Sequence, residues 1–147
     1  MMKNLLNRAL PIAVSTGILC VSIGISLVAS AHGNVTPQPV DVHGLPELKG
    51  PQDQNPYAGN PKAIEIGSSA FNQNCARCHG LGAVSGGIAP DLRYLPLDKE
   101  TDQYFKMRVT NGAIRNGVTY MPPFGEVFNE QAIWAIRSYL VSIHTDE

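Results

Sequence analysis

Cysteine is scarce in this sequence, and neither sign of charge dominates it. Lys and Arg number 11 against 12 Asp and Glu, a formal net charge of −1. That balance gives no support for nucleic-acid binding, which favours a basic patch. Of three cysteines, Cys20 lies in an apolar N-terminal stretch, and the other two sit together further on. No second CxxC or HxxxH is present to complete a four-ligand structural zinc site. There are no internal repeats, and no strand-rich region of the kind that accompanies a thioredoxin-like redox pair.

What is there is Cys75-Ala76-Arg77-Cys78-His79. Two cysteines three apart, with a histidine directly after the second, is the attachment pattern of a c-type haem. If the stretch is helical, positions 75, 78 and 79 share a face, since residues three and four apart are helix neighbours. One turn then supplies two thiols to add across the haem vinyl groups and an imidazole, His79, as proximal iron ligand. Both remaining cysteines are consumed, which leaves no thiol for a disulfide.

Residues 1–31 read as a removable leader. Lys3 and Arg8 mark a charged start, an apolar run extends from Leu10, and Ala29-Ser30-Ala31 is an A-x-A cleavage site. Cys20 is not a convincing lipoprotein cysteine, because Leu19 fills the preceding small-residue position. The alternative is an uncleaved anchor, since Leu10 to Ala31 is long enough to span a bilayer. Cleavage is favoured by the A-x-A box and the switch to Pro/Gly-rich sequence, and it makes His32 the new N-terminus. Without Lys3 and Arg8, nine basic residues face the 12 acidic ones, a formal −3.

Residues 32–60 carry Pro37, Pro39, Pro46, Pro51 and Pro56 with glycines between, which argues for an extended arm. Val35, Val40, Val42, Leu45, Leu48 and Tyr57 would let it wrap on the domain at 61–147. There, a first helix is predicted from Pro61, with Asn60 as its cap. Gly67 costs that helix propensity, and a close helix crossing would explain its use. A loop spans Gly80 to Pro96. A middle helix is expected from about Thr101 or Asp102 to Thr110, packing through Tyr104, Phe105, Met107 and Val109. Asn111-Gly112 and Asn116-Gly117 are breaks, and the last helix runs from about Asn129 to Ser142 with Ile133, Ile136, Leu140 and Ile143 as its stripe.

A ligating histidine needs its second ring nitrogen satisfied, and the Pro90 carbonyl is the candidate. For the second axial position, Met107 sits mid-helix, where methionine is usually core filler. Met121 precedes Pro122 and Pro123, which hold its backbone extended, and it is the stronger candidate. His43 and His144 are bis-histidine alternatives without a rigid setting. His/Met ligation fills both axial positions and raises the potential, so such a site passes electrons rather than performing bond chemistry.

With Gly67, Phe71, the Cys75–His79 motif, Pro90, Met121-Pro122, Trp134 and Tyr139, the sequence resembles a class I cytochrome c over residues 61–143. The resemblance implies an all-α fold. In it the N- and C-terminal helices cross around a covalently bound haem, at a glycine–aromatic contact between Gly67 and Phe71 and the Trp134–Tyr139 face. His32-Gly33-Asn34-Val35-Thr36-Pro37-Gln38, Ala83-Val84-Ser85-Gly86-Gly87-Ile88-Ala89-Pro90-Asp91-Leu92 and Tyr120-Met121-Pro122-Pro123-Phe124 are further similar to one bacterial group. It is the periplasmic cytochromes that serve PQQ-dependent (quinoprotein) ethanol dehydrogenases.

That resemblance implies a soluble periplasmic electron carrier and not an enzyme. It would take electrons from a PQQ-dependent alcohol dehydrogenase and pass them to a terminal oxidase or another cytochrome. Arg77, Ala83, Val84, Ile88 and Phe124 are expected to border the exposed haem edge as a small, transient contact surface. The rival readings are a haem peroxidase or gas-binding sensor with a labile Met121, and a membrane-anchored cytochrome subunit of a larger complex.

Overall fold

Asn60 opens the first helix, its Oδ1 accepting the N–H groups of Lys62 and Ala63 at 2.9 and 3.1 Å. The computed structural model describes residues 36–147. The expected leader, its cleavage site, Cys20 and His32 lie outside the described residues. Helix α1 runs Pro61–Asn74, with proline in its first turn where a missing N–H costs nothing. It buries Ala63, Ile66, Gly67, Ala70, Phe71 and Asn74, one helical stripe. A single turn, α2 (Ala76–His79), follows directly.

The stripe of α1 lies against α4 (Glu130–Ser142), capped by Asn129. At Gly67 an added Cβ would stand 1.9 Å from the Ala135 carbonyl oxygen, so the two backbones touch there. One turn on, the Phe71 and Tyr139 rings meet with centroids 5.5 Å apart. Burying a side chain such as Phe71 or Ile136 contributes roughly 1.5–3 kcal/mol each.

Helix α4 is not the one-striped element its sequence suggested: every residue from Ala132 to Leu140 is buried. Two apolar clusters flank it. Phe71, Phe105, Phe124, Phe128, Tyr139 and Leu140 belong to one, and Leu45, Tyr57, Ala63, Ile66 and Trp134 to the other. Segment 36–60 thus contributes Leu45 and Tyr57 to the second cluster. Its backbone is tied down further by Gln38 N–H to Asn74 Oδ1 at 2.7 Å and Gln52 N–H to Glu130 Oε1 at 2.7 Å.

Two polar residues inside α4 are explained by a buried network. Arg137 Nε donates to Asp102 Oδ1 at 2.6 Å and its Nη2 to the Pro96 carbonyl at 2.6 Å. The other Asp102 oxygen accepts Asn55 N–H at 2.8 Å, and Asn55 Nδ2 donates to Ser138 Oγ at 3.0 Å. Asp102 sits in α3, which spans Lys99–Asn111 and starts earlier than expected because Asp98 caps it. The packing face of α3 is narrower than predicted: Phe105 and Val109 are buried, while Tyr104 and Met107 are 50% and 44% exposed.

The all-α expectation needs one correction. Ala113–Arg115 and Val118–Met121 form an antiparallel hairpin, β1 and β2. Asn116 and Gly117 at its tip both have positive φ, 50° and 76°, the geometry of a tight turn that Asn-Gly favours. The remaining regular elements among the described residues are helices. No helix among the described residues is long and apolar enough to cross a membrane.

Candidate cofactor-binding site

Cys75 ends α1 and caps α2. Its N–H still donates to the Phe71 carbonyl at 2.8 Å, and its own carbonyl accepts Cys78 N–H at 3.1 Å and His79 N–H at 3.0 Å. The turn therefore brings the two cysteines and the histidine together, as spacing alone requires. Both thiols are free. Burial, with Cys78 beside it, pushes the Cys75 thiol up to about 12, so it stays protonated at neutral pH.

The ring of His79 is half-buried, and its Nδ1 lies 2.9 Å from the Pro90 carbonyl oxygen. Burial lowers its pKa from the usual value, and the Pro90 carbonyl opposes that shift. A neutral ring donating Nδ1–H to a carbonyl keeps the lone pair on Nε2, the form in which imidazole binds a metal.

Met121 closes β2 and is half-buried against the cluster of Phe105, Phe124 and Phe128, on which Cys75 also packs. Three features fix its backbone. It pairs with Ala113 across the hairpin. Gly112 leaves room for its carbonyl, which a Cβ there would meet at 2.4 Å. Just beyond Pro122-Pro123, Phe124 and Gly125 donate N–H groups to the carbonyls of Val109 and Thr110 at 3.0 and 3.1 Å. Met107 is neither core filler nor part of this cluster, because it lies on the outer face of α3.

His43 and His144, the other described histidines, have surroundings of their own. His43 is exposed and borders a cleft with Lys62, Glu65 and Gln73 of α1, and His144 Nε2 is 3.1 Å from Asp146. Of the residues expected to form a contact surface, Arg77, Val84 and Ile88 are exposed, and Leu81 joins them. Ala83 and Phe124 are not surface residues: they are 0% and 3% exposed. Ala83 tucks inward on a backbone at φ 62°, and Phe124 stacks on Phe128 with centroids 5.0 Å apart.

A family profile described as "Cytochrome C oxidase, cbb3-type, subunit III" matches residues 62–140. A protein called cytochrome c550 from Pseudomonas aeruginosa is 56% identical over 136 residues, covering 88% of this chain and 94% of that one. This chain belongs to the cytochrome c family. Two quinohemoprotein alcohol dehydrogenases of Pseudomonas putida are also similar. ADH IIB is 29% identical over 72% of this chain, and ADH-IIG 37% over 54%. The similarity takes in only 14% and 10% of those longer proteins.

A cytochrome c holds a covalently bound c-type haem, and Cys75 and Cys78 occupy its CxxCH motif. The residues present fit that group. Two unpaired thiols and an imidazole with one nitrogen already engaged share a single turn, bordered by an aromatic cluster suited to an apolar disc.

Ser85 and Asp91, which bond to each other across Pro90, and Arg93, which pairs with Asp91, were given no role of their own by the sequence, although Ser85 and Asp91 fall within the stretch that carries the resemblance. They carry no motif spacing, and a serine in a glycine-rich loop reads as solvated.

Proposed function

We propose that Cys75 and Cys78 of this electron-transfer cytochrome c anchor the haem as thioethers, with His79 and Met121 as axial ligands. The Pro90 carbonyl orients His79. The observation that carries this reading is the 2.9 Å contact at Nδ1, which leaves Nε2 as the nitrogen available to iron. When bound, the haem supplies a one-electron ferric/ferrous couple, whose potential His/Met ligation raises. Met121, on a backbone braced by Gly112, Ala113 and the double proline, would supply the second ligand and leave no position for peroxide or oxygen. The chain's own contribution would be to hold both ligands in place through the change of valence.

The contact of α1 with α4 at Gly67, and the buried Leu45 and Tyr57, support a class I cytochrome c fold with an N-terminal arm over residues 32–60. Residues 1–31 are a signal peptide cleaved after Ala31, which delivers the domain at 61–147 to the periplasm. The donor is a PQQ-dependent alcohol dehydrogenase. The likeness to parts of two enzymes whose name joins a quinone, a haem and an alcohol supports that choice. A terminal oxidase or another cytochrome is the acceptor, in keeping with the oxidase-subunit profile. The carrier performs no chemistry on a substrate of its own. Exposed Leu81, Val84 and Ile88 give the transient, small-area contact such exchange needs.

Stopped-flow mixing of the oxidised holoprotein with reduced quinoprotein alcohol dehydrogenase tests the partner. Haem reduction on the timescale of alcohol turnover is the expected result, and its absence refutes the donor.

A further inference from the structure

The loop from Gly80 to Tyr94 has an uncommon task for a glycine-rich segment. It contains Gly80, Gly82, Gly86 and Gly87, three of them at positive φ. Glycine has the largest backbone freedom to lose on ordering. Yet the loop must deliver one carbonyl, that of Pro90, to within hydrogen-bonding distance of His79 Nδ1. Proline itself has no N–H with which to anchor that position.

The anchoring comes from the residues on either side of it. Ser85 Oγ donates to the carbonyl of Ala89 at 2.5 Å, and Ser85 N–H donates to Asp91 Oδ2 at 3.2 Å. One serine thus grips both neighbours of Pro90. Asp91 is in turn held by Arg93, through Nε to Oδ1 at 3.1 Å and Nη2 to Oδ2 at 2.9 Å, a two-pronged pair. Ser85 has its own footing: a Cβ at Gly80 would meet the Val84 carbonyl oxygen at 1.9 Å, so the loop folds back onto the residue after His79. Outside, the Arg93 carbonyl accepts Thr145 N–H at 3.2 Å, and Tyr94 Oη donates to the Glu147 carbonyl at 2.7 Å. Capping the short turn at Leu92–Tyr94 would need only the bond from Arg93 N–H to Asp91 Oδ1. The reach of Asp91 back to Ser85, across six residues, serves something else.

We propose that Ser85 and Asp91 are positioning residues that clamp the Pro90 carbonyl onto His79 and so set how strongly its imidazole donates to the haem iron. The proposal rests on His79 being the proximal ligand. A well-placed carbonyl on Nδ1–H makes the imidazole a stronger donor, which favours the ferric state and lowers the potential. Loosening the clamp raises the potential.

The test compares Ser85→Ala and Asp91→Asn holoproteins with wild type. Tyr57→Phe, which loses the hydrogen bond to the Pro46 carbonyl far from the loop, is a control for general destabilisation. The readouts are the reduction potential and the exchange rate of the His79 Nδ1 proton by NMR. Both loop variants are expected to shift the redox equilibrium three- to tenfold toward ferrous, about 30–60 mV at 59 mV per tenfold for one electron. Their Nδ1 proton should exchange about tenfold faster. Tyr57→Phe should move neither readout.

Asp91→Asn also removes a charge, whose field alone would raise the potential. Ser85→Ala alters no charge and is the deciding variant. If Ser85→Ala leaves potential and exchange rate at wild-type values, the clamp is refuted. Should one variant fail to load haem, the other decides by proton exchange, which a change of field does not mimic. A wild-type spectrum lacking a low-spin, histidine-ligated haem would overturn the ligation reading itself, and this one with it, before any variant is made.

Discussion

Alanine at position 67 would gain about 1 kcal/mol of helix propensity over glycine. It would lose more to collision, because its methyl would sit 1.9 Å from a backbone carbonyl oxygen of α4 that cannot swing aside. Overpacking a tight contact costs about 1–3 kcal/mol, so Gly67→Ala is expected to be destabilising by up to about 2 kcal/mol net. A denaturant midpoint on the holoprotein measures it, and a midpoint raised above wild type would mean the helices do not touch there. Met121 is a residue-scale test of a different kind. Met121→Ala should let the ferrous protein bind carbon monoxide readily, and a parent protein that binds it equally well would remove Met121 from the iron. The carboxyl of Asp91 supplies a pH dependence. Hydrogen bonds from Arg93 hold it at about 2, below its ordinary 3.8. Its contribution to stability is therefore complete above pH 3.8 and disappears as pH falls toward 2, and it is absent from the Asp91→Asn variant. Acid titrations of the two proteins should differ in that window and run parallel above it.

Among the elements, the hairpin couples a turn to a candidate ligand. Gly117 stands at φ 76°, a conformation that costs a residue with a Cβ about 1–2 kcal/mol. Gly117→Ala should lower stability by that order. Since β2 ends in Met121, the same change should raise carbon monoxide affinity well below the unfolding temperature. A loss of stability with no change at the iron would mean the hairpin does not hold the methionine. The starts of α1 and α4 are readable from the chain, whereas that of α3 is not. Asn60 with Pro61 and Asn129 open α1 and α4 where their local chemistry demands. The hairpin is less legible: Asn116-Gly117, the strongest short-range signal for one, reads equally as a simple break. Its flanking strands are three and four residues long, too short to show an alternating pattern. Asp102 reads equally well as a favourable charge near a helix start, and only packing turns it into a buried partner.

On the scale of the whole molecule, that buried pair joins three parts of the chain. Asp102 of α3 receives Arg137 of α4 and the backbone of Asn55, with Arg137 1% exposed at its side chain. Breaking a buried pair leaves an uncompensated charge and costs about 3–5 kcal/mol. Asp102→Ala is therefore expected to be the most damaging of these substitutions. Lys62→Gln, which breaks a pair lying 47% and 71% exposed, should cost less than about 1 kcal/mol. Thermal melts of the two holoproteins check the contrast, and equal losses would refute the importance of the network.

Whatever acts within a few residues is legible in the chain alone. The Cys75–His79 turn and the helix caps are of this kind, because covalent spacing and backbone preference need no distant partner. Tertiary structure decided the rest. It buried α4 on every side, drew Ala83 and Phe124 off the surface, turned Met107 outward, and closed Ser85 onto Ala89 and Asp91, the two neighbours of Pro90. Burial and hydrogen-bond pairing between residues remote along the chain depend on how the elements stack, and no local pattern encodes that.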